Sequence, residues 1–203
     1  MNRREALVGL TSGIVGLGAI QAEAKEVVPW KSDFVARLTD ARSAQRFTSR
    51  PVAESDLQKI VQAGLNAPSA LNLQPWFFSV VTDRRLLDKI AQELKIKPGG
   101  RLSVLDSQTV VFVCSDDSDY GLFDAGTASD RMSVAALALG YGCKSSAQAA
   151  KIANEKFRKE LGIPDKYKAF ITLLIGEEET PSVDGASGAT TRAPLDEKVV
   201  FIK

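Results

Sequence analysis

Ser69, Asn72 and Gln74 sit in the run Ala67-Pro68-Ser69-Ala70-Leu71-Asn72-Leu73-Gln74-Pro75-Trp76-Phe77-Phe78, which sets a hydroxyl and two carboxamides between two prolines. Each proline fixes its own φ and drives the preceding residue toward extended geometry, so these groups are presented by a stiffened backbone suited to a ligand's hydrogen-bonding edge. The same run also reads as an ordinary helix-to-strand connection whose amides serve nearby backbone. Histidine is absent from the 203 residues. That removes Ser-His-Asp and Cys-His catalysis, the common zinc sites and an imidazole base, and leaves chemistry to other side chains or to a cofactor. Cys114 and Cys143, the only cysteines, lie in apolar surroundings without CxxC spacing and read as buried free thiols ahead of a disulfide or metal pair.

The elements that must position these groups follow from periodicity. Glu54 to Asn66 carries Leu57, Ile60, Val61 and Leu65 at helical spacing, with Ser55 or the residues before it available as a cap. Phe77 to Val81 reads as a buried strand, Arg84 to Leu94 as an amphipathic helix, and Thr109 to Cys114 as a second buried strand. Asp124 to Leu139 is rich in alanine and apolar on most faces, as a central helix would be. A further helix is expected from about Ala147 to Leu161, ended by Gly162 and Pro164, before a third strand over Phe170 to Ile175. Thr180 to Ala193 reads as a connector, and the apolar Val199 to Ile202 as a last short strand that pairs with a distant edge or another chain. Without βαβ regularity or GxGxxG, the class is α+β. A net charge of +1 gives no sign of nucleic-acid binding.

Residues 1–24 have their own character. Arg3-Arg4 precedes a Gly-diluted apolar stretch, and Ala22-Glu23-Ala24 follows as a small-x-small cleavage pattern. This resembles a twin-arginine export signal, which implies a periplasmic protein exported already folded. An incidental Arg-Arg in a cytoplasmic protein is the alternative. Residues 25–203 then form a single domain.

Taken together, Ala67-Pro68-Ser69-x-x-Asn72-x-Gln74-Pro75-Trp76-x-Phe78, the Arg42-Ser43-Ala44-Gln45-Arg46-Phe47 segment, Asp124-Ala125-Gly126, Leu139-Gly140-Tyr141-Gly142 and Arg192-x-Pro194-Leu195 resemble the FMN-dependent nitroreductase family from about Asp40 to Phe201. The resemblance implies a mostly antiparallel sheet flanked by helices, in an intertwined homodimer with FMN at the subunit interface. It places Ser43, Arg42, Arg46 and Arg192 at the flavin phosphate, where fixed cations and a hydroxyl suit a dianion. It sets Asn72 at the ring edge, Pro68 and Ser69 of the partner subunit over the ring, and backbone near Ser146 and Ala147 by the reactive nitrogen. Two departures stand out: Ala41 and Gln45 occupy positions where the family carries phosphate-binding arginines, and only Ser115 to Phe123 separates the second strand from the central helix. Arg42, Arg46 or Lys144 would have to compensate for the first, and the second implies a short lid.

The activity implied is an FMN-dependent oxidoreductase passing electrons to a nitro, quinone or similar acceptor, without a metal. Its donor is NAD(P)H in the cytoplasm, or a quinol or redox protein after export. The rival class is an exported flavin carrier or non-catalytic dimeric binding protein.

Overall fold

In a computed structural model the described residues are 33–94, 107–179 and 192–202. Residues 1–24 and, of the connector Thr180 to Ala193, residues 180–191 lie outside them. β2 (Thr109–Ser115) is buried at every position, as its continuous apolar run requires of a strand covered on both faces. It pairs antiparallel with β1 (Trp76–Val81) on one side and with β4 (Lys168–Gly176) on the other, and β3 (Gly142–Ser146) pairs antiparallel with β4. The order is β1-β2-β4-β3, which leaves β3 at an edge.

Side-chain alternation divides the core between the two faces of this sheet. Val110, Phe112, Cys114 and Leu174 pack with Leu87 and Ile90 of α3 (Arg84–Glu93) and with Ala149 and Ala150 of α5 (Gln148–Ile152). On the opposite face Val111, Val113, Leu173 and Ile175 pack with Ile60 of α2 (Glu54–Leu65) and with Ala128, Met132 and Ala136 of α4 (Gly121–Ala138). Helix α1 (Asp33–Asp40) lies on the C-terminal end of α4, where Arg37 donates to Leu137 O at 3.4 Å. The architecture is α+β, an antiparallel sheet between two helical layers.

The expected elements before the tail form, with instructive shifts. Helix α2 buries Asp56, Ile60 and Gly64, not the stripe that ends at Leu65, which is 44% exposed. The face is rotated because Gly64 admits Met132 so closely that a Cβ there would stand 2.7 Å from Met132 Cγ. Gly64→Val should therefore lower stability by about 1–3 kcal/mol through overpacking, read from the urea midpoint. An unshifted midpoint would mean that Met132 swings clear. Ser55 does not cap this helix: the N-cap is Ala53, whose carbonyl accepts from Asp56 N–H at 3.0 Å.

The helix expected from Ala147 to Leu161 is interrupted: α5 passes into a π-helical turn, Ala153–Phe157. Asn154 there takes both the N–H and the C=O of Ala169, beside the register shift between β2 and β4, and these bonds hold the turn out of α-helical register.

The Val199 to Ile202 segment is not a strand in this chain. It follows a short helix, α6 (Leu195–Lys198), runs extended and is highly exposed, with Phe201 at 72% and Ile202 at 93%. No sheet edge of its own chain takes it up among the described residues.

Candidate functional site

Helices α2 and α4 run antiparallel, and a buried carboxylate clasps each end of the pair. At one end Tyr141, just past α4, donates its hydroxyl to Asp56 Oδ2 at 3.0 Å. At the other end Asp124, in the first turn of α4, accepts from Ala70 N–H at 3.0 Å. Arg131 donates to Asn66 O between them.

At the Tyr141 end lies an open cleft of about 270 Å³, and Arg42, Ser43 and Arg192 converge on it from distant parts of the chain. Its wall is strand β3, where Cys143 and Ser145 share one face, set against Asp130, Ser133 and Leu137 of α4. Cys143 Sγ and Ser133 Oγ are 3.5 Å apart. Ala44 N–H donates to Cys143 O at 3.0 Å, which ties the segment carrying Arg42 and Ser43 to the strand. Arg42 Nη1 donates to Thr39 O and Ala41 O at 3.2 and 3.0 Å, so its guanidinium is held at the rim. Arg192 makes no hydrogen bond or ion pair to the other described residues, which leaves its guanidinium available to a ligand. Glu178 also reaches the cleft, over Gly142, where any Cβ would collide with it.

Burial pushes the Cys143 thiol up to about 11 and the Cys114 thiol to about 12, so neither is a thiolate near neutral pH. Both cysteines are free. No cluster suited to a metal occurs among the described residues, and no described helix is long and apolar enough to cross a membrane.

The other candidate group lies at the far end of α4. Pro68, Ser69 and Asn72 belong to an exposed loop with a 3-10 turn at Ala70–Asn72. Leu71, Asn72 and Gln74 hold φ of 50, 58 and 50°, a left-handed geometry unusual for residues with side chains. Ser69 Oγ accepts from Gln74 N–H at 3.0 Å, which together with Asp124 keeps the loop in that shape. Strain of this kind persists where surrounding contacts over-determine it, and it clusters at ligand clamps.

The expected site residues are thus divided. The cleft brings Arg42, Ser43 and Arg192 together. Ser146 and Ala147 continue from Ser145 at the end of β3, with Ser146 O accepting from Thr172 Oγ1 at 2.7 Å. Gln45 lies just outside the lining and donates to Ser43 O at 2.9 Å. Arg46 is also outside it: the side chain is 67% exposed and stands 4.0 Å from Glu179, because Ala44 and Phe47 turn into the core and aim this arginine elsewhere. About 20 Å of helix, at 1.5 Å per residue, separates the Asp124 clasp from Leu137 at the cleft. Pro68, Ser69 and Asn72 do not line the cleft of their own chain.

The profile of the Nitroreductase family matches residues 38–177, more than half of the chain. The chain belongs to the nitroreductase family. Among its relatives is a protein of Archaeoglobus fulgidus named "Putative NADH dehydrogenase/NAD(P)H nitroreductase", 30% identical over 142 residues that cover 66% of this chain and 79% of the relative. Solved nitroreductases share the fold. That of Desulfitobacterium hafniense with bound FMN superposes with a TM-score of 0.71 at 21% identity, covering 85% of this chain and 100% of the other. That of Bacteroides fragilis with bound FMN gives 0.69 at 18% identity with the same coverage. In this nitroreductase the connection from β2 to α4 is shorter than its residue types suggest, because α4 begins at Gly121, before the Asp124 expected to open it.

Asp130, Ser133, Ser145 and Glu178 line the cleft without having been singled out by sequence, beside Tyr141 of a quoted motif and the cysteine Cys143. Asp130 and Ser133 come from α4, and Cys143 and Ser145 from β3, a short polar strand that shows neither an apolar run nor clear alternation. Its one legible signal is the Gly140-Tyr141-Gly142 punctuation after α4, where Gly140 takes φ of 83° to end the helix.

Proposed function

We propose that this nitroreductase-family chain works as a homodimeric FMN-dependent oxidoreductase, passing electrons from a donor to a nitro, quinone or similar acceptor. The carrying observation is the convergence of Arg42, Ser43 and Arg192 on one cleft beside an edge strand. The lining fits FMN at its polar end: two guanidiniums and a hydroxyl suit a phosphate monoester, and the wall at Ser145 suits a polyol chain. At about 270 Å³ the cleft is small for a ligand with a three-ring head, which supports a reading in which a second chain adds cover.

A two-fold axis near the middle of α4 supplies that cover, because it carries the partner subunit's Pro68, Ser69 and Asn72 loop from the far end of the helix toward the cleft. The outward face of α4 suits such a contact, with Phe123 at 74% exposure and open space beside Gly126. Bound FMN supplies the electron transfer itself. In this reading the protein's task is positional. Arg42 and Arg192 fix the phosphate, Ser43 donates to it, backbone near Ser146 and Ala147 meets the ring, and Asn72 bonds its edge. The absence of histidine leaves protons to water in an open site.

One phosphate-type cluster and no dinucleotide fingerprint favour FMN over FAD. Extracting the cofactor and running it against standards should give FMN at one per chain. FAD, or nothing after reconstitution with excess FMN, would defeat the proposal. A yellow dimer inert with every donor would instead favour the flavin carrier.

The exposed Val199 to Ile202 tail is proposed to dock on the partner subunit, since its apolar side chains find little cover among the described residues of their own chain. Deleting residues 199–203 should weaken the dimer and release flavin together. A flavin-loaded dimer after that deletion would make the tail dispensable.

We further propose export through Arg3 and Arg4. Substituting both by Lys should retain the protein in the cytoplasm, and NADPH should reduce the purified flavin poorly compared with a quinol or a low-potential protein donor. A cytoplasmic wild type, or rapid saturable reduction by NADPH, would return it to an NAD(P)H-dependent reading.

A further inference from the structure

Asp56 is fully buried yet occupies the apolar stripe of α2, one turn before Ile60 and two before Gly64. A buried carboxylate on such a stripe needs partners. It has two: Lys59 Nζ at 2.8 Å on one oxygen and the Tyr141 hydroxyl at 3.0 Å on the other. The Tyr141 hydroxyl also accepts from Ala53 N–H, at 3.5 Å, at the start of the same helix. Burial, aided by the neighbouring Asp56, raises the Tyr141 pKa, so the phenol keeps its proton and stays a donor.

Tyr141 faces two ways. It lines the cleft, while its hydroxyl is committed to Asp56, which does not line the cleft. It also sits where α4 hands over to the edge strand: Tyr141 N–H donates to Ala136 O at 2.9 Å, Gly142 opens β3, and Cys143 O then receives Ala44 N–H, next to Ser43. A continuous set of contacts therefore runs from Lys59 through Asp56 and Tyr141 to the backbone that carries Arg42 and Ser43.

We infer that Asp56 and Tyr141 form a positioning pair that fixes β3, and through it the Arg42–Ser43 segment, at the distance a phosphate requires. The inference rests on the FMN reading above. Neither residue performs chemistry on the flavin. Their effect is expected at the phosphate end, because Tyr141 adjoins the Gly142 end of β3, while Ser146 at its other end is held separately by Thr172 and the ring loop by Asp124.

The test measures FMN and riboflavin affinities side by side, riboflavin being the same ring and polyol without phosphate. Tyr141→Phe and Asp56→Asn each keep the side-chain volume, and a circular-dichroism melt establishes that the variants are folded. Each should weaken FMN by about tenfold or more, the effect expected when one charge-assisted bond to the phosphate is misplaced, and leave riboflavin within about threefold. The double variant should be no weaker than the worse single one, since the two residues act as one unit. Equal losses for both ligands, or no loss for either, would overturn the inference by leaving the pair a purely structural role. A loss with Tyr141→Phe alone would overturn it too, since it would mean direct contact with the ligand. If the wild-type chain binds neither flavin, the FMN reading fails first and takes the inference with it. A wild type that binds FMN while both variants bind it equally well removes the inference alone.

Discussion

Gly126→Arg is expected to split the proposed dimer into folded, flavin-free monomers. Within one chain a Cβ at Gly126 meets nothing within 4 Å, so a larger side chain is sterically free there. Replacing a half-buried helical glycine with open space beside it by arginine should even stabilise the isolated fold, by about 0.5–1 kcal/mol, through reduced backbone entropy in the unfolded chain. The cost arises only between chains. Gly126 lies between Phe123 and Asp130 on the outward face of α4, and if the two α4 helices meet there, a guanidinium on a long stem has to be forced between them. Loss of the contact removes the partner subunit's loop from the cleft, and FMN affinity should fall by about a hundredfold or more, the equivalent of roughly 2.7 kcal/mol. Sedimentation velocity, a thermal melt and a flavin titration together decide it. A flavin-loaded dimer in the variant would move the interface off this face.

Arg192→Ala should cost FMN one to two decades of affinity, since each charge-assisted bond to a phosphate is worth about 1.5–3 kcal/mol. The loss should be large because Ala41 and Gln45 supply no cation beside Arg42 and because Glu178 and Asp130 already place negative charge in the cleft. Arg46→Ala is the contrasting variant. Its guanidinium faces Glu179 outside the cleft, so FMN affinity should stay within about twofold, as for an exposed ion pair of little worth. Equal losses in the two variants would restore Arg46 to the phosphate. No loss in Arg192→Ala would take Arg192 out of the site.

Much of the fold was legible because its signals are local. The run TVVFVC is continuous and apolar, and it became the central strand. The amphipathic period of Arg84 to Leu94 became α3, which Asp83 caps by accepting from Arg85 N–H at 2.9 Å. Strand β3 was not legible: its five residues, GCKSS, have neither period nor apolar content, and they become a strand only because β4 offers an edge. The tail shows the complementary case. VVFI has strand composition, but composition supplies no partner, and α6 sets it beyond the sheet of its own chain.

The candidate site divides along the same line. The sequence by itself determined the chemistry on offer: the absence of histidine, the stiff loop between Pro68 and Pro75, and, through the family resemblance of its motifs, the cations and hydroxyl at Arg42, Ser43 and Arg192. Residue types and short spacings carry that information, because backbone restriction and charge are properties of the chain itself. Only the tertiary structure decided which of these groups share a cleft. Arg42 and Arg192 meet, Arg46 is turned away by its buried neighbours, and the loop is carried to the opposite end of α4. Only the structure singled out Asp56 and Tyr141, far apart in the chain, as partners. A charged residue on an apolar helical stripe is a visible anomaly, but the donor that satisfies it comes from antiparallel packing of two helices, which no local pattern encodes.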